Sequence, residues 1–111
     1  MRMWMLSPQQ MCRKHLLGEH VEIHMAVATL WQGKSVDGFL GKGLLELGKL
    51  RSRHDELARE MERRGYRHRS PLVAVPRRRA GKVDKKRNAR ELAERCPECR
   101  LLQKHNRGSG G

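Results

Sequence analysis

Aromatic residues and long apolar segments are both scarce in this 111-residue sequence. Only four aromatic side chains occur and hydrophobic residues make up 37% of the chain, so the sequence allows one modest core and excludes a two-domain enzyme. No apolar run approaches the roughly 18 to 20 residues of a membrane-spanning helix. The N-terminus lacks the apolar segment and the cleavage site of a secretory signal. We therefore expect one small cytoplasmic domain with no membrane partner.

Acidic residues are also few, since 12 Asp and Glu stand against 25 Lys and Arg, which gives a formal charge of +13. The excess lies in the second half: residues 1–50 carry a net charge of +2 and residues 51–111 a net charge of +11. Nucleic acid is the simplest partner for such a chain, because neutralising phosphates releases counterions. A solvated basic tail, an RNA partner and an acidic protein partner satisfy the same charge balance.

Helical spacing of apolar residues predicts an all-α domain of about three helices with irregular basic loops. Ser7 and Pro8 are typical of a helix start, and Gly65 stands where a helix cap is expected. No alternating segment is long enough to predict a sheet. We expect a helical domain over residues 1–95 and a flexible, basic, cysteine-containing tail over residues 96–111. The predicted helices run from about Gln9 to Gln32, from Leu44 to Arg64 and from Asp84 to Arg95.

Three polar residues of the first predicted helix stand out. His15, Glu19 and Glu22 are spaced i, i+4 and i+7 and therefore share one helical face. A solvated polar face with a His–Glu pair is one interpretation. A metal site is another, although the spacing matches neither the HExxH nor the ExxH pattern. A third interpretation is acid/base chemistry, which requires a nucleophile.

The N-terminal residue can supply that nucleophile. Arg2 is too large to permit ordinary removal of the initiator methionine, so we expect Met1 to keep a free α-amine. An α-amine ordinarily has a pKa of about 7.7 to 8.0, against about 10.4 for a lysine side chain, so far more of it is neutral near pH 7.5. Such an amine can displace a base from an anomeric carbon, and a carboxylate can then move the protons.

Three stretches within residues 1–72 carry a family resemblance. They are the N-terminal amine followed by Arg2, the segment HLLGEHVE at 15–22, and the segments LRSRHDEL at 50–57 and RRGY at 63–66. The second is similar to a His-Leu-x-x-Glu-x-x-Glu pattern and the third to Leu-Arg-x-Arg-x-x-Glu-Leu followed by Arg-Gly-aromatic. On these motifs the chain resembles the phage and bacterial pyrimidine-dimer DNA glycosylases of the endonuclease V type.

The resemblance implies a glycosylase and abasic-site lyase that acts on duplex DNA with damaged pyrimidines and uses no metal or cofactor. We expect the chain to act as a monomer. The Met1 α-amine would form a Schiff base at C1′, and Glu22 would be the catalytic carboxylate. Arg2 would hold a phosphate, His15 would line the pocket, and Glu19 would assist. The resemblance also implies that a nucleotide is extruded from the duplex. Phosphate contacts would come from Arg51, Arg53, Arg63, Arg64, Arg67 and Arg69.

The C-terminal third departs from the family pattern, because it is basic rather than aromatic. Cys96 and Cys99, with His105, supply three of the four ligands that a structural zinc site needs. A disulfide and plain reduced thiols are the alternatives, and reduced thiols are the default in a cytosol. Cys12 is expected to pack against the core.

Two other functions compete with the glycosylase hypothesis. One is a non-catalytic basic module that binds DNA or RNA, and the other is a small zinc-dependent nucleic-acid factor that uses Cys96, Cys99 and His105. Another damaged or modified pyrimidine is an alternative substrate, because Val21 and Met25 stand where the family places arginines.

Overall fold

The computed structural model describes residues 1–67 and 71–106, which form five α-helices and two short 3-10 helices and contain no β-strand. The all-α class expected from the sequence is confirmed. Among the helices of the described residues, none has both the length and the hydrophobicity needed to cross a bilayer. The α-helices are α1 (Arg13–Trp31), α2 (Asp37–Gly41), α3 (Leu50–Arg63), α4 (Lys85–Arg95) and α5 (Pro97–His105), and the 3-10 helices are Pro8–Gln10 and Leu47–Lys49.

The three predicted helices correspond to α1, α3 and α4, with differences at their ends. Ser7 precedes only the 3-10 helix Pro8–Gln10, because the backbone is extended at Met11 and Cys12 before α1 begins. Asp84 is the N-cap of α4, since its carboxylate accepts a hydrogen bond of 3.0 Å from the Arg87 N–H.

Two helices were not expected from the sequence. Helix α2 lies in a segment predicted as a loop, and α5 lies in the segment predicted as a flexible tail. Pro97 occupies the first position of α5, where no N–H is needed. Cys96 caps α5 by accepting the Cys99 N–H. Helix α5 packs against α4 and against the 3-10 helix Pro8–Gln10.

The core lies mainly between α1 and α3. Each helix turns an apolar stripe inward, and burying one such side chain is worth about 1.5–3 kcal/mol. The N-terminal segment and α4 close this core from the side through Met3, Leu6 and Leu92, which are buried. The buried apolar residues of α1 and α3 are Leu16, Ile23, Ala26, Val27, Leu50, Leu57, Ala58 and Met61.

An ion pair crosses the interface between α1 and α3. Two nitrogens of Arg53 donate to the Glu19 carboxylate at 2.6 and 2.9 Å, and the two side chains are only 1% and 0% exposed. The remaining nitrogen of Arg53 donates to the Leu6 carbonyl at 2.6 Å and to Glu56 at 2.7 Å. The phosphate contact expected of Arg53 is therefore wrong for this structure, because its guanidinium lies inside the core.

We predict that Arg53→Met lowers the free energy of unfolding by about 3–5 kcal/mol, because it leaves the Glu19 carboxylate buried without its partner. Chemical denaturation measures this change. Arg59→Met serves as the control, since Arg59 is exposed on the same helix and should change stability by less than about 0.5 kcal/mol. If Arg53→Met alone fails to fold, the double change with Glu19→Met should fold again, because it removes both charges. Equal effects of Arg53→Met and Arg59→Met would contradict the prediction.

Candidate active site

The first residues of the chain have no regular secondary structure and contact both α1 and α4. The Asn88 amide of α4 donates to the carbonyls of Met3 and Trp4 at 3.2 and 2.9 Å. The Met1 sulfur lies 4.0 Å from the Thr29 hydroxyl of α1. These contacts hold the N-terminal amine beside α1.

Glu22 of α1 lies near enough to this amine for their charges to interact. Burial raises the pKa of the Glu22 carboxyl above its ordinary value, and the positively charged N-terminal amine and a hydrogen bond from the Arg2 N–H oppose the rise. The nearby Glu19 carboxylate adds a smaller increase. The site thus combines a primary amine with a half-buried carboxylate, which is the pairing that amine nucleophiles with acid/base assistance require.

A cleft along α1 is lined by both His15 and Glu22. The His15 ring lies edge-on to Trp4 at a centroid distance of 6.1 Å. The structure therefore brings His15, Glu19 and Glu22 to the same cleft, as their helical spacing predicted, although the Glu19 carboxylate is bound to Arg53. The cleft is lined by Trp4, Lys14, His15, Leu17, Gly18, Glu19, Val21 and Glu22.

Arg2 has contacts that the sequence did not predict. Its guanidinium donates to the Asn88 side chain at 2.7 Å and forms an ion pair with Glu91, and it stacks over Trp4 at 3.8 Å. Arg2 also lowers the pKa of the Glu91 carboxyl. The structure thus uses Arg2 to fasten the N-terminal segment to α4, and a DNA phosphate would have to compete with Glu91 for it.

Arg63 and Arg64 both bind the buried Glu60 carboxylate, at 2.6 and 2.7 Å. Arg64 also donates to the carbonyls of Pro8 and Met11 at 3.0 and 2.7 Å. These bonds fasten the end of α3 to the chain before α1, and the phosphate contact of Arg64 stays a prediction. Arg63 remains 61% exposed and keeps access to solvent.

The other arginines that were predicted to contact phosphates differ in their surroundings. Arg51 is exposed and donates to the Leu72 and Val73 carbonyls at 3.3 and 2.8 Å. Arg67 is exposed, and Arg69 lies outside the described residues. Arg51 also borders an open groove with three successive arginines that the sequence analysis did not assign to the site. This groove is lined by Leu47, Gly48, Arg51, Val75, Pro76, Arg77, Arg78 and Arg79.

Within the described residues, possible metal ligands meet in two clusters whose full membership was not predicted from the sequence. His20 and His24 of α1 meet His54 of α3, with 3.1 Å between the Nε2 atoms of His20 and His54. The i, i+4 spacing of His20 and His24 was the available signal. Cys12 and His15 meet Cys96 and Cys99, whereas His105, the expected partner of the two C-terminal cysteines, is exposed at the end of α5.

The model of the family described as pyrimidine dimer DNA glycosylase matches residues 1–73. That region includes the N-terminal segment, α1 and α3, whereas α4 and α5 lie beyond it. Comparisons with curated proteins and with solved structures gave no match.

We predict that the Glu22 carboxyl titrates with a midpoint above 4.5, its ordinary value, when followed by carbon-detected NMR. Acetylation of the Met1 amine should raise the midpoint further, because it removes a positive charge that favours the carboxylate. Glu60 is the internal control, since Arg63 and Arg64 lower its pKa and acetylation should not change it. If acetylation leaves the Glu22 midpoint unchanged, the amine does not interact with this carboxylate.

Proposed function

Because this chain belongs to the pyrimidine dimer DNA glycosylase family, we propose that it removes damaged pyrimidines from duplex DNA and then nicks the strand as an abasic-site lyase. The proximity of the Glu22 carboxylate to the N-terminal amine is the observation that carries this proposal. An amine nucleophile and a proton-transfer group are the two parts that this chemistry needs. Glu22 lines the cleft, and its carboxyl interacts with the charge of the N-terminal amine.

In the first step the neutral Met1 amine attacks C1′ of the damaged nucleotide. A nitrogen–carbon bond forms while the glycosidic bond breaks, and the pyrimidine leaves with the electron pair of that bond. The ionised Glu22 carboxylate stabilises the positive charge that develops on the sugar. A damaged pyrimidine is the easier nucleotide to extrude, because its stacking is already weakened.

In the second step a proton moves from the adduct nitrogen to O4′ while the C1′–O4′ bond breaks. The nitrogen lone pair forms the C=N bond of a protonated Schiff base between Met1 and C1′. Glu22 then accepts the proton from C2′. The electron pair of that C–H bond forms the C2′–C3′ double bond, and the phosphate on C3′ leaves. Water hydrolyses the Schiff base and restores the amine. The raised pKa of Glu22 suits a group that must both accept and return a proton.

Exposed cations beside the cleft support DNA as the substrate. Lys14 lines the cleft itself, and the guanidinium of the exposed Arg13 lies 5.1 Å from the Tyr66 ring. We propose that these two residues and Arg67 bind phosphates beside the lesion, while the groove of Arg51 and Arg77–Arg79 binds the backbone further along. Such contacts position the duplex without specifying its sequence.

We predict a covalent protein–DNA adduct when the untagged chain meets an irradiated duplex or an abasic-site duplex in the presence of borohydride, which reduces a Schiff base to a stable amine. Intact-mass measurement verifies that the chain begins at Met1. Two residues added before Met1 should abolish the adduct, because the nitrogen of Met1 becomes an amide and the new amine is displaced from Glu22. Gel electrophoresis of labelled DNA detects the adduct.

The matched control carries the same two residues after Gly111 and should form the adduct as well as the unmodified chain. An adduct that survives extension before Met1 would assign the Schiff base to another amine. Binding to both duplexes without any adduct would favour a non-catalytic DNA-binding module.

We predict that Glu22→Gln lowers turnover by about 10²–10⁴, because the amide cannot accept the C2′ proton. DNA affinity should change little, since Glu22 is not a phosphate contact. Single-turnover cleavage and fluorescence anisotropy separate the two quantities. Glu62→Gln, an exposed carboxylate on α3, is the control and should keep both. Full activity of Glu22→Gln would remove Glu22 from the mechanism.

A further inference from the structure

Four metal-ligand side chains from the two ends of the chain converge outside the amine–carboxylate pair. Cys12 immediately precedes α1 and His15 lies in its first turn, while Cys96 separates α4 from α5 and Cys99 lies in the first turn of α5. Their sulfur atoms and ring nitrogen all lie within 4.8 Å of one another. Cys12 and Cys99 are buried and Cys96 is half-buried.

The distances within this cluster match a tetrahedral zinc site. Sulfurs 2.3 Å from a tetrahedral zinc ion lie about 3.8 Å apart, and a sulfur and an imidazole nitrogen lie about 3.5 Å apart. The Cys12 and Cys96 sulfurs are 3.8 Å apart. The His15 Nδ1 atom lies 3.6 Å from the Cys99 sulfur and 3.2 Å from the Cys12 sulfur.

Backbone donors around the sulfurs fit metal-bound thiolates. The Cys12 N–H points to the Cys99 sulfur at 3.2 Å, and the Cys99 N–H points to the Cys96 sulfur at 3.4 Å. Such hydrogen bonds stabilise the negative charge of thiolate ligands and fix their orientation. Each pair of ligands also has the short spacing, Cys-x-x-His or Cys-x-x-Cys, that lets two side chains of one turn bind the same ion.

We propose that Cys12, His15, Cys96 and Cys99 bind one zinc ion with a structural role. Three soft thiolates and one imidazole in a tetrahedral arrangement favour zinc over magnesium, calcium or manganese. All four positions are filled by side chains, so the ion keeps no open position for a water or a substrate. The site does not depend on the proposed glycosylase activity.

Zinc at this position would join distant parts of the chain. Cys12 and Cys96 are 84 residues apart in the sequence, and so are His15 and Cys99. Cys96 and Cys99 lie outside the residues that match the family model. The ion would therefore fasten α4 and α5 to the start of α1, and α4 carries Asn88, which holds the N-terminal segment.

A disulfide is the competing use of these cysteines. Bonded sulfurs lie about 2.0 Å apart, whereas the Cys12 and Cys96 sulfurs are at 3.8 Å and all three cysteines are free. A disulfide would use two sulfurs and would give no role to the third sulfur or to His15 Nδ1. Zinc uses all four groups, and we therefore favour it.

The test is metal analysis of the full-length, untagged chain purified under reducing conditions. We expect one zinc per chain by mass spectrometry of the dissolved metal. After removal of zinc, addition of Co²⁺ should give the thiolate-to-cobalt charge-transfer bands and the intense visible bands of a tetrahedral site. Because these bands require cobalt–sulfur bonds, they distinguish this cluster from the three histidines between α1 and α3. The cobalt experiment uses the natural sequence and does not depend on a variant that folds.

Variants then assign the ligands. Cys96→Ser with Cys99→Ser should lose the zinc and the cobalt–thiolate bands, whereas His105→Ala should keep both, since His105 is exposed at the end of α5. Removal of zinc should lower the thermal midpoint of the natural chain and leave that of the double serine variant unchanged. Absence of zinc together with absence of the cobalt–thiolate bands would overturn the proposal. Retention of zinc by the double serine variant, or a disulfide in the intact mass of the freshly purified chain, would overturn it as well.

Discussion

The buried ion pair between Arg53 and Glu19 fixes how α1, α3 and the N-terminal segment meet. Arg53 belongs to α3, Glu19 belongs to α1, and the same guanidinium donates to the Leu6 carbonyl. Three elements therefore depend on one side chain. A charge pair of this kind tolerates little sliding between helices, because displacement by one turn would bury two unpaired charges.

This pair also determines where Glu22 lies. Glu22 follows Glu19 by three residues on α1, and three residues turn a helix by about 300°, which leaves the two side chains roughly 60° apart around the axis. Since Glu19 points into the core, Glu22 lies at the border between core and solvent, where it is half-buried. The bond from Arg53 to Leu6 holds the N-terminal segment at the same border. The ion pair thus supports both partners of the amine–carboxylate site.

Local signals predicted much of the fold, and distant contacts account for what they missed. The apolar spacing of α1, α3 and α4 can be recognised in short stretches of sequence, as can the helix end at Gly65. The burial of Arg53 was not predictable, because it depends on a carboxylate 34 residues away and because arginine in a basic segment is usually exposed. The same limit applies to Cys12 and His15, whose spacing is visible in the sequence while their partners lie near the other end of the chain. The pairing of Met1 with Glu22 followed from the family resemblance rather than from spacing.

Glu22 shows how function and stability oppose each other in this domain. Its pKa is raised in the folded chain, so the folded state binds the proton more tightly than the unfolded state does. Stability from this group is therefore greatest below the ordinary carboxyl pKa and falls as pH rises through the raised value. At neutral pH the ionised carboxylate weakens the fold, and the amine and the Arg2 N–H only partly offset the effect of burial.

A small domain can carry such a group only where other contacts hold the N-terminal segment in place. Here those contacts come from Arg53 on one side and from Asn88 and Glu91 on the other. The C-terminal helices consequently do more than extend the chain, because they hold the N-terminal segment against a carboxylate that by itself disfavours folding.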